Sequence, residues 1–231
     1  MTKRPKMKAW SYSRYQCYSG CAFQAHCKYN EKLPEPEVPA MQRGTAIHKM
    51  CEDFLNDGGR VKKDIKLFSN ELKELRRSNA VAEAEWAFTK TWQPTAWFDP
   101  WGAKKPVVWM RAKIDALVDA ENSEDGVMRI IDFKTGKVRD NYMEQLELYA
   151  VSGFAQRKKV KKIKTELWYL DHGVVHEEEF DRKHFPALKQ LWNDRTRPMM
   201  NDVVYAPKPS FKCRWCSFSK DKGGPCKFRG D

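Results

Sequence analysis

The sequence predicts an α/β protein in which a central mixed β-sheet is flanked by helices. Three observations carry this expectation. Residues 43–55 place apolar side chains at helical spacing, residues 81–134 switch to strand-like alternation, and helical spacing returns after residue 140 before another pair of strands. Helices and strands interleaved in this order suit a sheet covered by helices.

Residues 11–33 read as helical and are crowded with aromatics and cysteines, until the proline-rich run Leu33-Pro-Glu-Pro-Glu-Val-Pro39 ends any helix. In the next helix Ile47, Met50, Cys51, Phe54 and Leu55 form a core-facing stripe, which Asn56-Asp-Gly-Gly59 stops. Cys51 falls on that stripe and reads as a buried, reduced thiol. A second amphipathic stretch covers 69–78. Strands are expected at 81–89, at 106–119 with Trp109, Arg111, Lys113 and Asp115 on one side, and at 126–134 as a hairpin partner across 121–125. A helix over 140–156 follows, with Tyr142, Leu146, Tyr149, Ala150 and Gly153 on one face. Strands at 163–171 and 174–180 turn around His172-Gly173, and a helix over 182–196 leads into a cysteine-bearing tail. There is no internal repeat. The expected organisation is one domain over 1–231 with a core at about 40–197.

The balance of charge points to partners. Forty-three Lys and Arg against 31 Asp and Glu give a formal net charge of +12, which attracts polyanions, nucleic acid foremost. The densest basic run, Arg157-Lys-Lys-Val-Lys-Lys-Ile-Lys164, reads equally as a solvated connection or as a phosphate-contacting patch. No apolar run approaches the roughly 20 residues of a membrane span, and the basic start MTKRPKMKAWSYS has no apolar stretch behind it. A cytoplasmic protein with no membrane partner is the expectation.

The stretch RIIDFKTGK, residues 129–137, places Asp132 and Lys134 on the same side of a strand where its apolar run ends. Taken alone, the pair reads most simply as an ion pair. Asp115 lies on the preceding strand, and if the two strands are neighbours both carboxylates can converge on one hard divalent cation. Lys134 could then orient or deprotonate the attacking water, or stabilise charge building on a phosphate. His48 lies off the apolar stripe of its helix and is a candidate ligand. Gln145 and Tyr149, one helical turn apart, could reach the same place. Glu83 and Glu85 could add a carboxylate, although both read first as solvent-facing strand residues.

In order, RGTAIH, KID, IDFKTG and QLELYA resemble the motifs of the PD-(D/E)XK nuclease superfamily over about residues 11–226. They look most like its RecB-type branch, which includes CRISPR-associated RecB-like exonucleases and related phage exonucleases. The resemblance implies a restriction-endonuclease-like core in which His48, Asp115 and Asp132 bind Mg²⁺ or Mn²⁺, joined by the main-chain carbonyl of Phe133. It makes Lys134 the catalytic lysine and assigns Gln145 and Tyr149 to the motif on the helix that follows. A further family acid on the preceding strand would be Glu85. It also admits a phage-encoded enzyme working in a host cytoplasm.

Seven cysteines, an odd number without a secretory signal, argue against a disulfide framework. Cys213-Arg-Trp-Cys216 can present two thiolates to one metal, with Cys226 beyond. The resemblance implies a fourth ligand from the N-terminal segment, pinning about 11–33 to about 205–231 around a 4Fe–4S cluster. Cys21 is preferred over Cys17 and Cys27, and Zn²⁺ is the alternative metal. The expected function is a Mg²⁺- or Mn²⁺-dependent deoxyribonuclease, an exonuclease acting on single-stranded DNA or duplex ends in DNA processing, recombination or repair. A non-catalytic nucleic-acid-binding module with a structural metal site is the alternative, and an iron–sulfur electron carrier would leave the strand acids unexplained.

Overall fold

The computed structural model describes residues 4–103, 107–123, 125–138 and 142–229. The expected beginnings of a strand at Pro106 and of a helix at Asp140, and the loop residue Glu124, lie outside the described residues. The chain divides into two compact units, one of residues 38–191 and one of residues 1–37 with 192–231.

The larger unit holds a six-stranded mixed sheet. Its strands are β1 (Val81–Phe88), β2 (Pro94–Thr95), β3 (Met110–Val118), β4 (Met128–Lys134), β5 (Lys162–Tyr169) and β6 (Val174–Asp181), in the order β2-β1-β3-β4-β5-β6. Only β4 and β5 run parallel, and the helix that connects them makes the crossover such a pair requires. The two-residue edge strand β2 has no counterpart in the sequence reading, because a two-residue strand carries no periodicity and Pro94 marks it as an edge.

Helix α1 (Pro39–Asp57) starts with proline at its first turn, where the missing N–H costs nothing. Ile47, Cys51, Phe54 and Leu55 are buried as the stripe predicts. They pack with Leu72 and Leu75 of α2 (Ser69–Arg77) against Ala116, Val118, Ile131 and Phe133 of the sheet. Burial pushes the Cys51 thiol up to about 12, consistent with an inert core residue. On the other sheet face lies α3 (Met143–Gln156), buried from Gln145 through Ala155 except at Glu147. The expected one-sided stripe is therefore too narrow. Gly153 lets this helix approach the sheet closely. A Cβ there would come within 2.7 Å of Ile163 Cδ1 and 2.8 Å of Ile130 Cδ1.

The basic run begins at the C-terminal end of α3 and enters β5. Arg157 is held by Asp119 at 2.8 Å, Lys162 by Glu179 at 2.7 Å and Lys164 by Glu177 at 2.8 Å. Lys162 and Ile163 lie beside Met128 at the start of β4, so the run sits about 20 Å along the strand from Lys134.

The smaller unit contains helical turns at Tyr12–Gly20, Ala22–Ala25 and His26–Asn30, and the end of helix Phe185–Asn201. Trp10 stacks on Trp192 with ring centroids 5.8 Å apart, and both rings are fully buried. No helix is long and apolar enough among the described residues to cross a membrane.

The close approach at Gly153 yields a stability prediction. Gly153→Val adds branches that two isoleucines occupy, an overpacking that costs about 1–3 kcal/mol. The thermal midpoint should fall while far-UV circular dichroism in the cold stays native. An unchanged midpoint would contradict the packing described.

Candidate active site

The β3–β4 ladder pairs Val118 with Arg129, Leu117 with Ile130 and Ala116 with Ile131, and then stops. The next position in that register would set Asp115 opposite Asp132. Instead the strands part, and Asp115 Oδ2 accepts the backbone N–H of Phe133 at 2.7 Å. The carboxylate thus replaces a main-chain acceptor exactly where the sheet opens.

On the other flank β1 pairs with β3 on either side of Glu83, through Ala82↔Ala116 and Ala84↔Ile114. Glu83 lies across from Asp115 with φ of 56°, a left-handed conformation uncommon for a residue with this side chain. One row across the sheet therefore carries Glu83, Asp115 and Asp132. His48 reaches the row from α1, with Nδ1 3.4 Å from Asp115 Oδ1. Its ring meets Phe133 edge-on at 6.1 Å. One ligand atom each from His48, Glu83 and Asp115 lie within 4.8 Å of one another, the one such metal-capable group among the described residues.

Asp132 is buried and faces α3. Its Oδ1 accepts hydrogen bonds from Gln145 Nε2 at 3.0 Å and from the Tyr149 hydroxyl, and Gln145 also donates to the Tyr149 oxygen at 2.8 Å. Its Oδ2 faces Lys134 Nζ at 2.5 Å. The two carboxylate oxygens therefore differ: one is fixed by the helix, and the other is buried against the lysine. Asp132 is not part of the His48–Glu83–Asp115 group, and its nearest positive charge is Lys134.

Electrostatics reflect crowded, buried acids. Desolvation raises the Asp115 carboxyl, and the Asp132 charge raises it further. Desolvation pulls His48 down, but its hydrogen bond and proximity to Asp115 outweigh this and leave it raised. Burial first, then Asp132 and Asp115, hold the Tyr149 hydroxyl well above its usual range, so it remains a donor. A site that gathers carboxylates while raising the cost of ionising them favours a cation.

The supports of this row explain the motif residues around it. Gly44 allows α1 to approach the strand exit, since a Cβ there would lie 3.3 Å from Thr135 Oγ1. Arg43 makes a two-pronged bond to Asp171 at 2.5 and 2.9 Å, and Asp171 also accepts the Gly136 N–H at 2.7 Å. That arrangement lowers the Asp171 carboxyl to about 2, chiefly through Arg43. Gly136, at φ of 80°, turns the chain out after Lys134.

The family model of the PD-(D/E)XK nuclease superfamily matches residues 9–220. The chain belongs to the PD-(D/E)XK nuclease superfamily. Among solved structures, SSO0001 is 14% identical, covers 93% of this chain and 85% of its own, and aligns with a TM-score of 0.49. A protein from Eubacterium rectale named "Putative exonuclease" is 13% identical, covers 91% of this chain and 87% of its own, and aligns with a TM-score of 0.52. At this identity it reports on the fold alone. No curated protein matches the sequence. For a member of this superfamily, a mixed sheet flanked by helices is the expected nuclease frame, and nucleic acid is the substrate that frame implies.

The structure brings His48, Asp115, Asp132, Lys134, Gln145 and Tyr149 to one end of the larger unit, with Phe133 between them. It corrects the choice of the further acid. Glu83 stands beside Asp115 and His48, whereas Glu85 is exposed and pairs in the sheet opposite Lys113. Period-two reading could not separate the two glutamates. Only the register, which sets Glu83 across from Asp115, does so.

In the smaller unit, Cys17, Cys21, Cys213, Cys216 and Cys226 line one cavity. Cys21 Sγ accepts the Lys208 N–H and Cys213 Sγ the Ser210 N–H, both at 3.4 Å. Cys27 is buried with Phe23 and Phe218, and burial pushes its thiol up to about 11. Cys17 is likewise pushed up by burial to about 11. No three of these sulfurs come within 4.8 Å of one another.

The geometry of the row predicts a division between the glutamates. Glu83→Gln should weaken Mn²⁺ binding, read by calorimetry, at least about tenfold, the scale that loss of even an outer partner costs. Glu85→Gln should leave it unchanged. Equal effects of the two substitutions would contradict the placement of Glu83.

Proposed function

We propose that this protein is a divalent-metal-dependent deoxyribonuclease of the RecB-type branch, working as an exonuclease on DNA ends or single strands. The observation that supports this most directly is the opening between β3 and β4, where Asp115, Asp132 and Lys134 stand together with His48 and Glu83. The donor set suits Mg²⁺ or Mn²⁺: carboxylate oxygens, a main-chain carbonyl at Phe133 and one imidazole. His48, Asp115 and Asp132 would hold the ion, with Glu83 beside them. When bound, it would neutralise charge on the scissile phosphate and lower the cost of ionising water.

The chain's own residues supply the rest. Gln145 and Tyr149 hold Asp132 Oδ1, leaving the buried Oδ2 without a hydrogen-bond donor of its own beside Lys134. Lys134, paired with that oxygen at 2.5 Å, is placed to orient the attacking water and to stabilise the phosphoryl oxygens as negative charge gathers. Asp171 and Arg43 fix the turn that follows Lys134.

Asp132→Asn preserves shape while removing the charge, and Lys134→Ala removes the ammonium. Both should abolish Mg²⁺- or Mn²⁺-dependent degradation of end-labelled DNA, with the fold intact by circular dichroism and EDTA silencing the wild type. Full activity in either variant would overturn the assignment. Salt-sensitive DNA binding without any metal-dependent cleavage would favour the non-catalytic module instead.

We also propose a structural 4Fe–4S cluster held by Cys21, Cys213, Cys216 and Cys226, four of the cysteines that line one cavity. Backbone N–H groups aimed at Cys21 and Cys213 suit thiolates. Tetrahedral Zn²⁺ is the alternative occupant, since four thiolates serve either metal. Protein purified without oxygen should show a visible charge-transfer band with iron and sulfide in equal amounts, and Cys21→Ser should lose both. Stoichiometric zinc with no visible band would contradict the cluster.

A further inference from the structure

The loop between β2 and β3 exposes more aromatic surface than a solvated turn requires. Within TAWFDPWG, Phe98 is 73% exposed and Trp101 is fully exposed. Two large rings exposed three residues apart on one loop make an apolar patch, the kind of surface that marks a contact. The stem of the loop is firmly built. Asp99 Oδ1 accepts the N–H groups of Val107 and Val108 at 2.7 and 2.8 Å, and Arg111 Nε donates to the Trp97 carbonyl at 2.8 Å. The Arg111 guanidinium also lies 5.6 Å over the Trp97 ring.

Position gives these rings a meaning. Arg111, Lys113 and Asp115 alternate along β3 and so share one of its sides. β3 runs antiparallel to β4, so its N-terminal end, from which the loop springs, is the end at which Lys134 leaves the sheet. Arg111 stands about 13 Å along the strand from Asp115. A line of cation, cation and acid thus leads from the aromatic loop to the opening of the sheet.

We propose that Phe98 and Trp101 form a stacking platform for unpaired bases, with Arg111 and Lys113 following the phosphates toward Asp115. Exposed rings flanked by cations bind single strands because each unpaired base offers a free face. In a duplex those faces are already stacked on their neighbours. The platform therefore selects an unpaired strand over a blunt duplex. It rests on the nuclease reading above for the direction of the strand, and it adds a binding site remote from the reacting groups.

The test measures binding of a fluorescent oligothymidylate and of a blunt duplex in EDTA, by anisotropy, for wild type, Phe98→Ala, Trp101→Ala, the double variant and Trp101→Phe. Each alanine should weaken single-strand binding about tenfold, in line with ring-on-base stacking. Duplex binding should change by less than twofold, and Trp101→Phe should restore most of the loss. Single-strand affinity unchanged in the double variant, with metal-dependent cleavage intact, would overturn the platform and leave the nuclease reading standing. Failure of the wild type both to bind and to cleave DNA would overturn the nuclease reading and the platform with it. Sedimentation supplies the remaining arm: a wild-type dimer that dissociates in the double variant, with DNA affinity unchanged, would make the loop a self-association surface and overturn the proposal.

Discussion

The site depends on one interruption in the sheet. Beyond Ala116↔Ile131 the strands β3 and β4 no longer exchange backbone hydrogen bonds, and the N–H of Phe133 would be left without a partner in a largely buried place. Such a loss costs about 1–3 kcal/mol. Asp115 prevents it by accepting that N–H itself. The same carboxylate therefore closes the sheet and faces the opening, which ties the position of the acid to the integrity of the fold.

Everything around the gap is arranged to keep it open yet ordered. Helix α1 brings His48 from one layer and α3 brings Gln145 and Tyr149 from the other, so the row is gripped from both faces of the sheet. Glu83 takes a left-handed backbone conformation in mid-strand, and local strain of this kind persists only where the surroundings enforce it. Three acids in one row repel one another, and His48, Lys113 and Lys134 offset part of that charge. Lys113 pairs with Glu83 and Lys134 with Asp132. A divalent cation entering the row would compete with both ammonium groups for carboxylate oxygens.

Much of this was legible in the sequence, and the limits have physical causes. Helix α1 and strands β1, β3 and β4 stand out because each buries one face against a neighbour, and period then reports orientation. Asp132 with Lys134, and Gln145 with Tyr149, were readable because their spacing matches strand and helix repeats. Glu83 was not, since its role comes from register with a strand about thirty residues away and from a backbone angle no pattern records. The Arg43–Asp171–Gly136 clamp was equally hidden, as it joins three segments distant in sequence. The burial of α3 nearly all round followed from the crossover between parallel strands, which its own hydrophobic pattern understated. Among the cysteines, local spacing set Cys213 and Cys216 apart, whereas the surroundings of Cys17, Cys21 and Cys27 come from segments distant in sequence: burial raises Cys17 and Cys27, and Cys21 accepts the Lys208 N–H.

The central claim is that the opening between β3 and β4 is a cation site built from strand acids and His48. Anomalous diffraction from crystals soaked in Mn²⁺ tests it most directly. The account predicts one strong peak in the larger unit, contacting Asp115, Asp132 and His48, with Lys134 moved off Asp132 Oδ2. Full Mn²⁺ occupancy elsewhere on the protein, with the row empty and the Lys134–Asp132 pair intact, would contradict it.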